Sequence, residues 1–452
     1  MKQKYLTNKR TLLSVPGNLK TDAYYTESDA TVHLTELTAN LGRYTQSLST
    51  NQIGSTGQII IPNQDILGEC YLHLRLPATA GTSTAGVWTA PQGWGWSAIK
   101  SISYLWGASN VSQITISGKS LWSIALAQCG TEEKRAKLNF LGGSSLPAIT
   151  QSATVDTNDV EDIEYDCYLP LALPWSVMCH EGKIGYDTSL LNSPITIQIG
   201  FAPRDEFIQW SSALVDPIIL SKLPTTFEVA EVVIRQQMFS DRSQSLKFEM
   251  QNNPELVYNY PFKHYQSFQK DFTATTGVST QVQLNNFINA DLIGMVVFVV
   301  EKSKLVGGST AIDATSTPYL NPLDISLPKN VKLLFNGQVL YNSPGKLYLL
   351  QNCAGLNGGG SYYAALSKLK TSGTGLLSLE YKPIIRDMIF IDFSRKHSLC
   401  FEHEYENTFR IAQQTLDLEL TMNKDAPYTL FATYIYNGVN ATQQGASNLY
   451  FD

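Results

Sequence analysis

The chain has 452 residues and a formal net charge of −6, and 16% of its residues are charged while 11% are aromatic. This composition excludes a disordered chain, which needs high charge and few aromatic residues, and a long coiled coil, which needs abundant Glu and Lys. The negative net charge excludes a protein that binds nucleic acid over its whole surface. The six cysteines form no CxxC pair, so neither a disulfide scaffold nor a zinc ribbon is predicted.

The N-terminal segment, residues 1–24, is basic although the chain as a whole is acidic. No acidic residue precedes Asp22, and the segment lacks the continuous apolar stretch of a signal peptide. We therefore predict synthesis in the cytoplasm or nucleus and an extended basic arm, with a solvated tail as the alternative. The basic residues of this arm are Lys2, Lys4, Lys9, Arg10 and Lys20.

Strand patterns dominate the rest of the first half. Residues 58–61 form a short apolar run, and residues 70–75 alternate between polar or aromatic side chains and leucines. A helix is predicted over 119–129 and a second one over 132–141, which ends at two glycines. Residues 195–199 alternate isoleucine with small or polar residues, which is typical of a half-buried strand.

The second half has the same character. Residues 292–300 form the longest apolar run of the chain, which is too short for a helix that spans a bilayer. Residues 416–420 alternate leucine with polar residues, and residues 428–436 are rich in aromatic and β-branched side chains. Long stretches of small and polar residues separate the strands in both halves, and we predict that they are contact loops. These stretches are residues 79–97, 142–160, 306–322 and 354–376.

Four short motifs recur in the same order about half a chain apart. Asp65-Ile66-Leu67-Gly68 returns as Asp291-Leu292-Ile293-Gly294, and the isoleucines of 195–199 return as the leucines of 416–420. This spacing indicates two copies of one β domain. The predicted fold is all-β, with two tandem eight-stranded jelly rolls (a double jelly roll), short helices and long loops. The predicted boundaries are 1–24 for the arm, 25–228 for the first jelly roll and 229–452 for the second.

No pattern in the chain predicts a catalytic, cofactor-binding or metal-binding residue, and we do not expect an enzyme. Gly118-Lys119-Ser120 lies between a strand and a helix, but position 113 is Gln where a phosphate-binding loop needs Gly, so a tight turn is predicted. The other candidates have spacings that suit strands or solvated loops better than sites. They are the set His397, Cys400 and His403, the pair Cys179 and His180, and the acid pairs Glu161/Asp162 and Glu164/Asp166.

Several of these segments resemble the double-jelly-roll major capsid proteins of double-stranded DNA viruses, of the type found in nucleocytoplasmic large DNA viruses, virophages and polinton-like viruses. Residues 99–135 look like the strand–helix element of that family, and Tyr168-Leu169-Pro170-Leu171 looks like its next strand. In the second half, Leu334-Phe335-Asn336-Gly337 is similar to another of its strands, and residues 410–437 look like its last two strands. The resemblance covers about residues 30–440.

The resemblance implies a structural role, in which pseudo-hexameric homotrimers serve as capsomers that tile an icosahedral viral shell. The implied partners are neighbouring capsomers, penton and minor capsid proteins, and an internal membrane or the genome, which the basic arm would meet on the inner surface of the virion. The alternative is a two-domain β-sandwich protein that binds carbohydrate through exposed aromatic rings. Its candidate residues are Trp88, Trp94 and Trp96.

Overall fold

The structure is a computed structural model of the chain. The residues that it describes are 40–63, 66–77, 88–90, 93–106, 112–128, 138, 141–143, 165–171, 186–188, 191–210, 223–238, 252–253, 255, 257–288, 290–302, 326, 328–344, 361–371, 377–387, 389–392, 409–410 and 415–451.

Strands and two helices make up the described part of the first half. The strands are β1 (Asn40–Ser47), β2 (Thr56–Ile61), β3 (Ile66–Leu76), β4 (Trp88–Thr89), β5 (Ile99–Leu105), β6 (Ser112–Ile116), β7 (Tyr165–Pro170), β8 (Tyr186–Asp187), β9 (Ile195–Phe201), β10 (Gln209–Trp210) and β11 (Val229–Met238). Helix α1 spans Trp94–Ala98, helix α2 spans Gly118–Gln128, and a 3₁₀ turn spans Arg204–Glu206. No helix within the described residues is long and apolar enough to cross a membrane.

The described part of the second half consists of strands and their connections. The strands are β12 (Val257–Ala274), β13 (Ser279–Leu284), β14 (Asp291–Glu301), β15 (Asn330–Phe335), β16 (Gln338–Pro344), β17 (Ser361–Thr371), β18 (Leu377–Asp387), β19 (Ile389–Asp392), β20 (Phe409–Arg410), β21 (Leu416–Thr421), β22 (Ala426–Gln443) and β23 (Ala446–Phe451).

Among the described residues, each half contains two larger antiparallel sheets, whose strand order is the same in both halves, and one two-stranded sheet, which is β4-β10 in the first half and β17-β18 in the second. In the first half, sheet 1 has the order β1-β11-β3-β7 and sheet 2 has the order β2-β9-β5-β6. In the second half, sheet 3 has the order β12-β22-β14-β19 and sheet 4 has the order β13-β21-β15-β16. Short strands extend two of these sheets, since β8 pairs with β3 in sheet 1, and β20 and β23 pair with β14 and β22 in sheet 3. The predicted all-β double jelly roll is confirmed.

The repeated motifs occupy equivalent strands. Gly68 lies in β3 and Gly294 lies in β14, and the pairing of each strand with its neighbour shifts register beside that glycine. Ile197 in β9 and Leu418 in β21 each lie in the second strand of their sheet. A similar irregularity at the same place in both halves agrees with two copies of one domain.

Strand β11, which comes last in chain order among the strands of sheet 1, follows the domain boundary that the sequence predicts. The predicted boundary at 228/229 falls at the start of β11, yet β11 pairs with both β1 and β3 of the first half. By its hydrogen bonds, β11 therefore belongs to sheet 1. The repeat could not reveal this, because none of the four matched motifs included the strand that returns to the middle of the first sheet.

Strand burial explains both the alternating and the continuous apolar patterns. Ile195, Ile197 and Ile199 of β9 are fully buried, while the residues between Ile195 and Ile199 on the other face are partly exposed. In β14, by contrast, every residue from 292 to 301 is buried. A strand that is covered on both faces has no solvent-facing positions, so its sequence reads as one continuous apolar run.

Two of the four predicted long loops contain regular structure. The stretch 79–97 includes β4 and most of α1, and the stretch 354–376 includes β17, which pairs along its whole length with β18. The small residues on either side of these elements led the sequence analysis to predict loops. The hydrogen bonds of β17 come from β18, which lies outside the stretch 354–376. The stretches 142–160 and 306–322 lie outside the described residues, apart from Gly142 and Gly143. The helix predicted over 132–141 also lies outside them, apart from Leu138 and Leu141.

Candidate assembly surfaces

Most residues that the sequence singled out lie outside the described part of the chain. They are Lys2, Lys4, Lys9, Arg10 and Lys20 of the arm, and Glu161, Asp162, Glu164, Cys179, His180, His397, Cys400 and His403. Asp166 requires a correction, because the sequence suggested a polar loop and the structure places it in β7, opposite Arg75 of β3. Among the described residues, no group of three or more His, Cys, Asp or Glu side chains could hold a metal ion.

Gly118-Lys119-Ser120 forms a tight turn from strand to helix, as the sequence predicts. The side chain of Ser117 caps α2, because the amide of Ser120 donates a hydrogen bond to the Ser117 Oγ at 3.1 Å. A Cβ atom at position 118 would lie 2.3 Å from the carbonyl oxygen of Ile99, so the backbone at this point requires glycine. This close contact fixes the direction in which α2 leaves the first half.

Helix α2 packs against the second half, on the face of sheet 3 that carries Phe298, Phe431 and Thr433, which we call the outer face of sheet 3. The ring of Trp122 meets the ring of Phe298 edge-on, with 5.7 Å between centroids, and Phe298 stacks on Phe431 at 5.1 Å. The Lys119 Nζ lies 5.0 Å from the centroid of Phe431, and burial lowers the pKa of this ammonium group. The two halves are thus joined by an aromatic contact.

Hydrogen bonds accompany the aromatic contact between α2 and sheet 3. The hydroxyl oxygens of Ser123 and Thr433 lie 3.0 Å apart, and both residues are buried. The amide of Ser117 donates to the Ser267 Oγ at 3.0 Å. Because these polar groups find partners across the contact, they can be buried there without a large desolvation cost.

Sheet 1 carries a charged cluster on its corresponding face. His73 of β3 lies between two carboxylates, with its Nε2 2.6 Å from Asp166 Oδ1 and its Nδ1 2.8 Å from Glu231 Oε1. Arg75 contacts the second oxygen of Asp166 at 3.6 Å, and the ring of Tyr168 stacks on the imidazole with 4.2 Å between centroids. We call the face of sheet 1 that carries these residues and Tyr71 the outer face of sheet 1.

The cluster brings together charged and aromatic residues of three neighbouring strands, β3, β7 and β11. Burial, together with the charge of Asp166, raises the pKa of the Tyr168 phenol. Sequence patterns placed His73 on the polar face of its strand but could not find its partners, because Asp166 and Glu231 are 93 and 158 residues away.

Two of the three tryptophans proposed for sugar binding are buried. Trp94 and Trp96 of α1 are 0% and 1% exposed, and added Cβ atoms at Gly143 and Gly142 would lie 2.5 and 2.4 Å from their ring nitrogens. These rings therefore belong to the core of the first half and offer no surface on which a sugar could stack. Trp88, the third candidate, is part of β4.

The triplet Asn440-Ala441-Thr442 has the sequence of an N-glycosylation site, but it is buried in the folded chain. Asn440 is 4% exposed, its Oδ1 accepts a short hydrogen bond from the Ser447 hydroxyl, and Thr442 is fully buried between strands. A glycan on the Asn440 amide would displace this packing, so the folded chain cannot be modified at this position.

No protein-family model and no curated protein matches the chain, whereas solved structures match it over most of its length. A chain of the PBCV-1 virus capsid matches with a TM-score of 0.60 and 11% identity, over 92% of this chain and 97% of that chain. The Faustovirus major capsid protein matches with a TM-score of 0.56 and 11% identity, over 98% of each chain. A chain of the Sputnik virophage matches with a TM-score of 0.51 and 11% identity, over 91% of this chain and 88% of that chain.

These matches extend across both halves, so they concern the paired sandwiches together and not a single jelly roll. At 11% identity they establish a likeness of fold, which agrees with the identical strand order of the two halves. The chain therefore has the double-jelly-roll fold of these viral capsid proteins.

Proposed function

We propose that the chain is a major capsid protein, the structural subunit of a homotrimeric, pseudo-hexameric capsomer that tiles an icosahedral viral shell. The observation that carries the proposal is the match of both jelly rolls together, over more than nine tenths of each chain, to the PBCV-1 and Faustovirus capsid chains. The proposed location is the virion, with synthesis in the cytoplasm or nucleus of the host. The proposed role is structural and not catalytic.

The contact between the halves supports a subunit that acts as one rigid block. A shell subunit must pass lateral forces to its neighbours without bending between its two domains. The two halves meet through contacts like those of a protein core. These are the buried contact of Trp122 with Phe298 and the hydrogen bond between Ser123 and Thr433. Cores of this kind are close-packed and have low compressibility.

The oligomeric state of the purified full-length chain tests the proposal. Light scattering after size exclusion should give about three times the chain mass of 50.0 kDa, and negative-stain images should show blocks with pseudo-sixfold outlines. A trimer of such blocks buries the extensive surface that is typical of obligate assemblies. A chain that stays monomeric at micromolar concentration would contradict the proposal.

For the basic arm we propose the inner surface of the shell, where it meets the genome or an internal membrane. Each Lys or Arg near an anionic surface contributes ~1 kcal/mol, which salt screens. Replacing all five basic residues by Gln should leave trimers intact but lower the salt concentration at which shells come apart. A matched variant, in which the four lysines become Arg, should behave as wild type. Equal salt tolerance of all three proteins would rule out this role.

The remaining partners that we propose are neighbouring capsomers and the penton and minor capsid proteins, reached in part through the long loops.

We also propose a division into the arm (1–24), a first jelly roll that ends at Met238, and a second that begins near Val257. A protease site inserted between Met238 and Val257 should yield two fragments that stay together through α2. Fragments that separate at once, with both of them folded, would show that the halves are not one block.

A further inference from the structure

The long hairpin β22–β23 reaches beyond the body of sheet 3. Along one edge of β22, β14 pairs with residues 428–436 and β23 pairs with residues 438–443. Because β12 occupies the whole of the other edge, β23 continues the place of β14 in the sheet. The turn at the end of this hairpin, Gln444-Gly445, therefore lies ~40 Å along the chain direction of β22 from Thr433, where α2 of the first half makes its contact.

The turn Gln444-Gly445 contacts the first half of the chain. The contacting residue is Asn192, which lies in the connection between β8 and β9. Its side-chain amide donates a hydrogen bond to the carbonyl oxygen of Gln444 at 2.7 Å, and its backbone amide donates to the carbonyl oxygen of Gly445 at 3.0 Å. A Cβ atom at position 445 would overlap the side chain of Asn192, so this close approach requires glycine.

Both sides of this contact are fixed within their own half. In the first half, Leu191 is 2% exposed, its amide donates to the carbonyl oxygen of Thr188 at 3.1 Å, and its carbonyl oxygen accepts from Asn63 Nδ2 at 2.8 Å. In the hairpin, Thr442 and Ser447 are 0% and 3% exposed although both are polar. Because each side is packed in place, the contact restrains the two halves themselves and not only two surface connections.

The hairpin β15–β16 has a similar turn in open space. Its turn residues, 336 and 337, have φ angles of 49° and 77°, and residues 444 and 445 have φ angles of 51° and 79°. Positive φ at both positions is typical of primed hairpin turns, which favour Asn and Gly. Position 336 is Asn, whereas Gln444 is a residue type that adopts positive φ with more strain. Such strain persists where surrounding contacts hold the backbone, and the bond from Asn192 is a contact of this kind.

We propose that the turn Gln444-Gly445 and Asn192 form a clasp that fixes the angle between the two halves of the chain. Domains of one chain move relative to each other unless their contacts prevent it, and the contact of α2 with sheet 3 alone leaves rotation about that contact possible. A second contact ~40 Å away along β22 opposes this rotation. The clasp consists of hydrogen bonds between uncharged groups, so salt does not screen it. It lies within a single chain and does not depend on the proposed assembly.

Hydrogen exchange tests the clasp directly, because the backbone amide of Asn192 is one of its donors. Gly445→Ala should raise the exchange rate of the peptide that contains Asn192 by about tenfold or more, since the added methyl group displaces the asparagine side chain. Gly337→Ala is the matched control, because it places the same residue at nearly the same φ where nothing lies within 4 Å, and it should leave this rate unchanged. Peptides from α2 should exchange alike in wild type and both variants.

Asn192→Ala provides a milder change if Gly445→Ala does not fold, which near-ultraviolet circular dichroism shows. It removes the side-chain bond to Gln444 and keeps the backbone bond to Gly445, so the exchange rate of the same peptide should rise by about fivefold. If neither variant raises this rate, or if Gly337→Ala raises it as much as Gly445→Ala does, the clasp does not exist.

Spin labels measure the angle between the halves. Genetically encoded nitroxide residues replace Ile60 in the first half and Leu340 in the second, each of which is 50% exposed. An excess of unlabelled chains ensures that electron–electron resonance records distances within one chain. The distance distribution should be narrow in wild type and broader in Asn192→Ala. An unchanged distribution would overturn the clasp and leave the proposed function standing, because light scattering of wild type tests that function separately.

Discussion

The outer faces of sheets 1 and 3 show how one strand arrangement acquires two surfaces of opposite chemistry. On sheet 3, Phe298 meets the ring of Trp122 and stacks on Phe431, and residues 292–300 of the central strand β14 form a continuous apolar run. On sheet 1, the equivalent face carries His73 between two carboxylates. A contact that forms within one chain is closed as soon as the chain folds, so it can bury large aromatic rings. The outer face of sheet 1 keeps partly exposed side chains, and charged groups are compatible with this contact with water.

The histidines of the two sheets extend this contrast. His73 of β3 has a carboxylate at hydrogen-bond distance from each ring nitrogen. His264 of β12 is 9% exposed, lies 6.1 Å from the ring of Tyr436, and has its pKa lowered by burial to about 4. His73 thus lies between two carboxylates, whereas the burial of His264 favours its neutral form.

The largest effect should come from removing the apolar contact between the halves. Trp122→Ala deletes a side chain that is 1% exposed, and losses of this kind cost about 3–5 kcal/mol of unfolding free energy. Urea denaturation under conditions where one oligomeric species is present measures the change. Tyr168→Ala on the outer face of sheet 1 is the matched control and should cost clearly less. Equal costs would mean that the two faces do not differ in burial.

Acid should weaken sheet 3 through His264. The pKa of this imidazole is about 4 in the folded chain against an ordinary value of 6.5, so the unfolded chain takes up a proton first as the pH falls. The contribution of His264 to the unfolding free energy is fully present above pH 6.5 and is lost progressively as the pH falls to about 4. The total loss is about 3 kcal/mol.

The His264→Asn variant provides the control for this acid effect. Its unfolding free energy should fall less steeply than that of wild type between pH 6.5 and pH 4, whatever its absolute stability at neutral pH. Chemical denaturation at a series of pH values gives the two slopes. Parallel slopes would show that His264 does not contribute to the acid sensitivity of the chain.

A smaller effect is expected from the charge cluster on sheet 1. His73→Leu leaves Asp166 and Glu231 facing each other without the imidazole, which should cost about 1–3 kcal/mol because both carboxylates are only partly exposed. Changing both acids to their amides in the same background should recover part of the loss. Lys302→Gln serves as the control, because the pair with Asp271 is 52% exposed on each side and should contribute at most about 0.5 kcal/mol.

The smallest effect should come from the hydroxyl pair between the halves. Ser123→Ala leaves the Thr433 hydroxyl buried without this partner and should cost about 1 kcal/mol. The double variant with Thr433→Val should cost less than the sum of the two single changes, because it removes both polar groups. A double-mutant cycle in urea measures the coupling. Strict additivity would show that the two hydroxyls do not interact.

The sequence by itself determined the class of fold and its duplication. Alternation of the kind seen in 195–199 and 416–420 reports that one face of a strand is buried, and this information is local. The tight turn at Gly118 could be predicted for the same reason, since strand, glycine and helix follow one another directly. The repeated motifs then indicated two similar domains and, with them, the jelly-roll architecture.

Only the tertiary structure decided which surfaces meet. The partners of His73, the place of β11 in sheet 1 and the burial of Trp94 and Trp96 all depend on residues far away in the chain. Periodicity shows that a face is covered but not what covers it, and composition cannot distinguish a buried tryptophan from an exposed one. The packing of α2 on sheet 3 is also of this kind, because its hydrogen bonds join residues 150 to 310 positions apart in the chain.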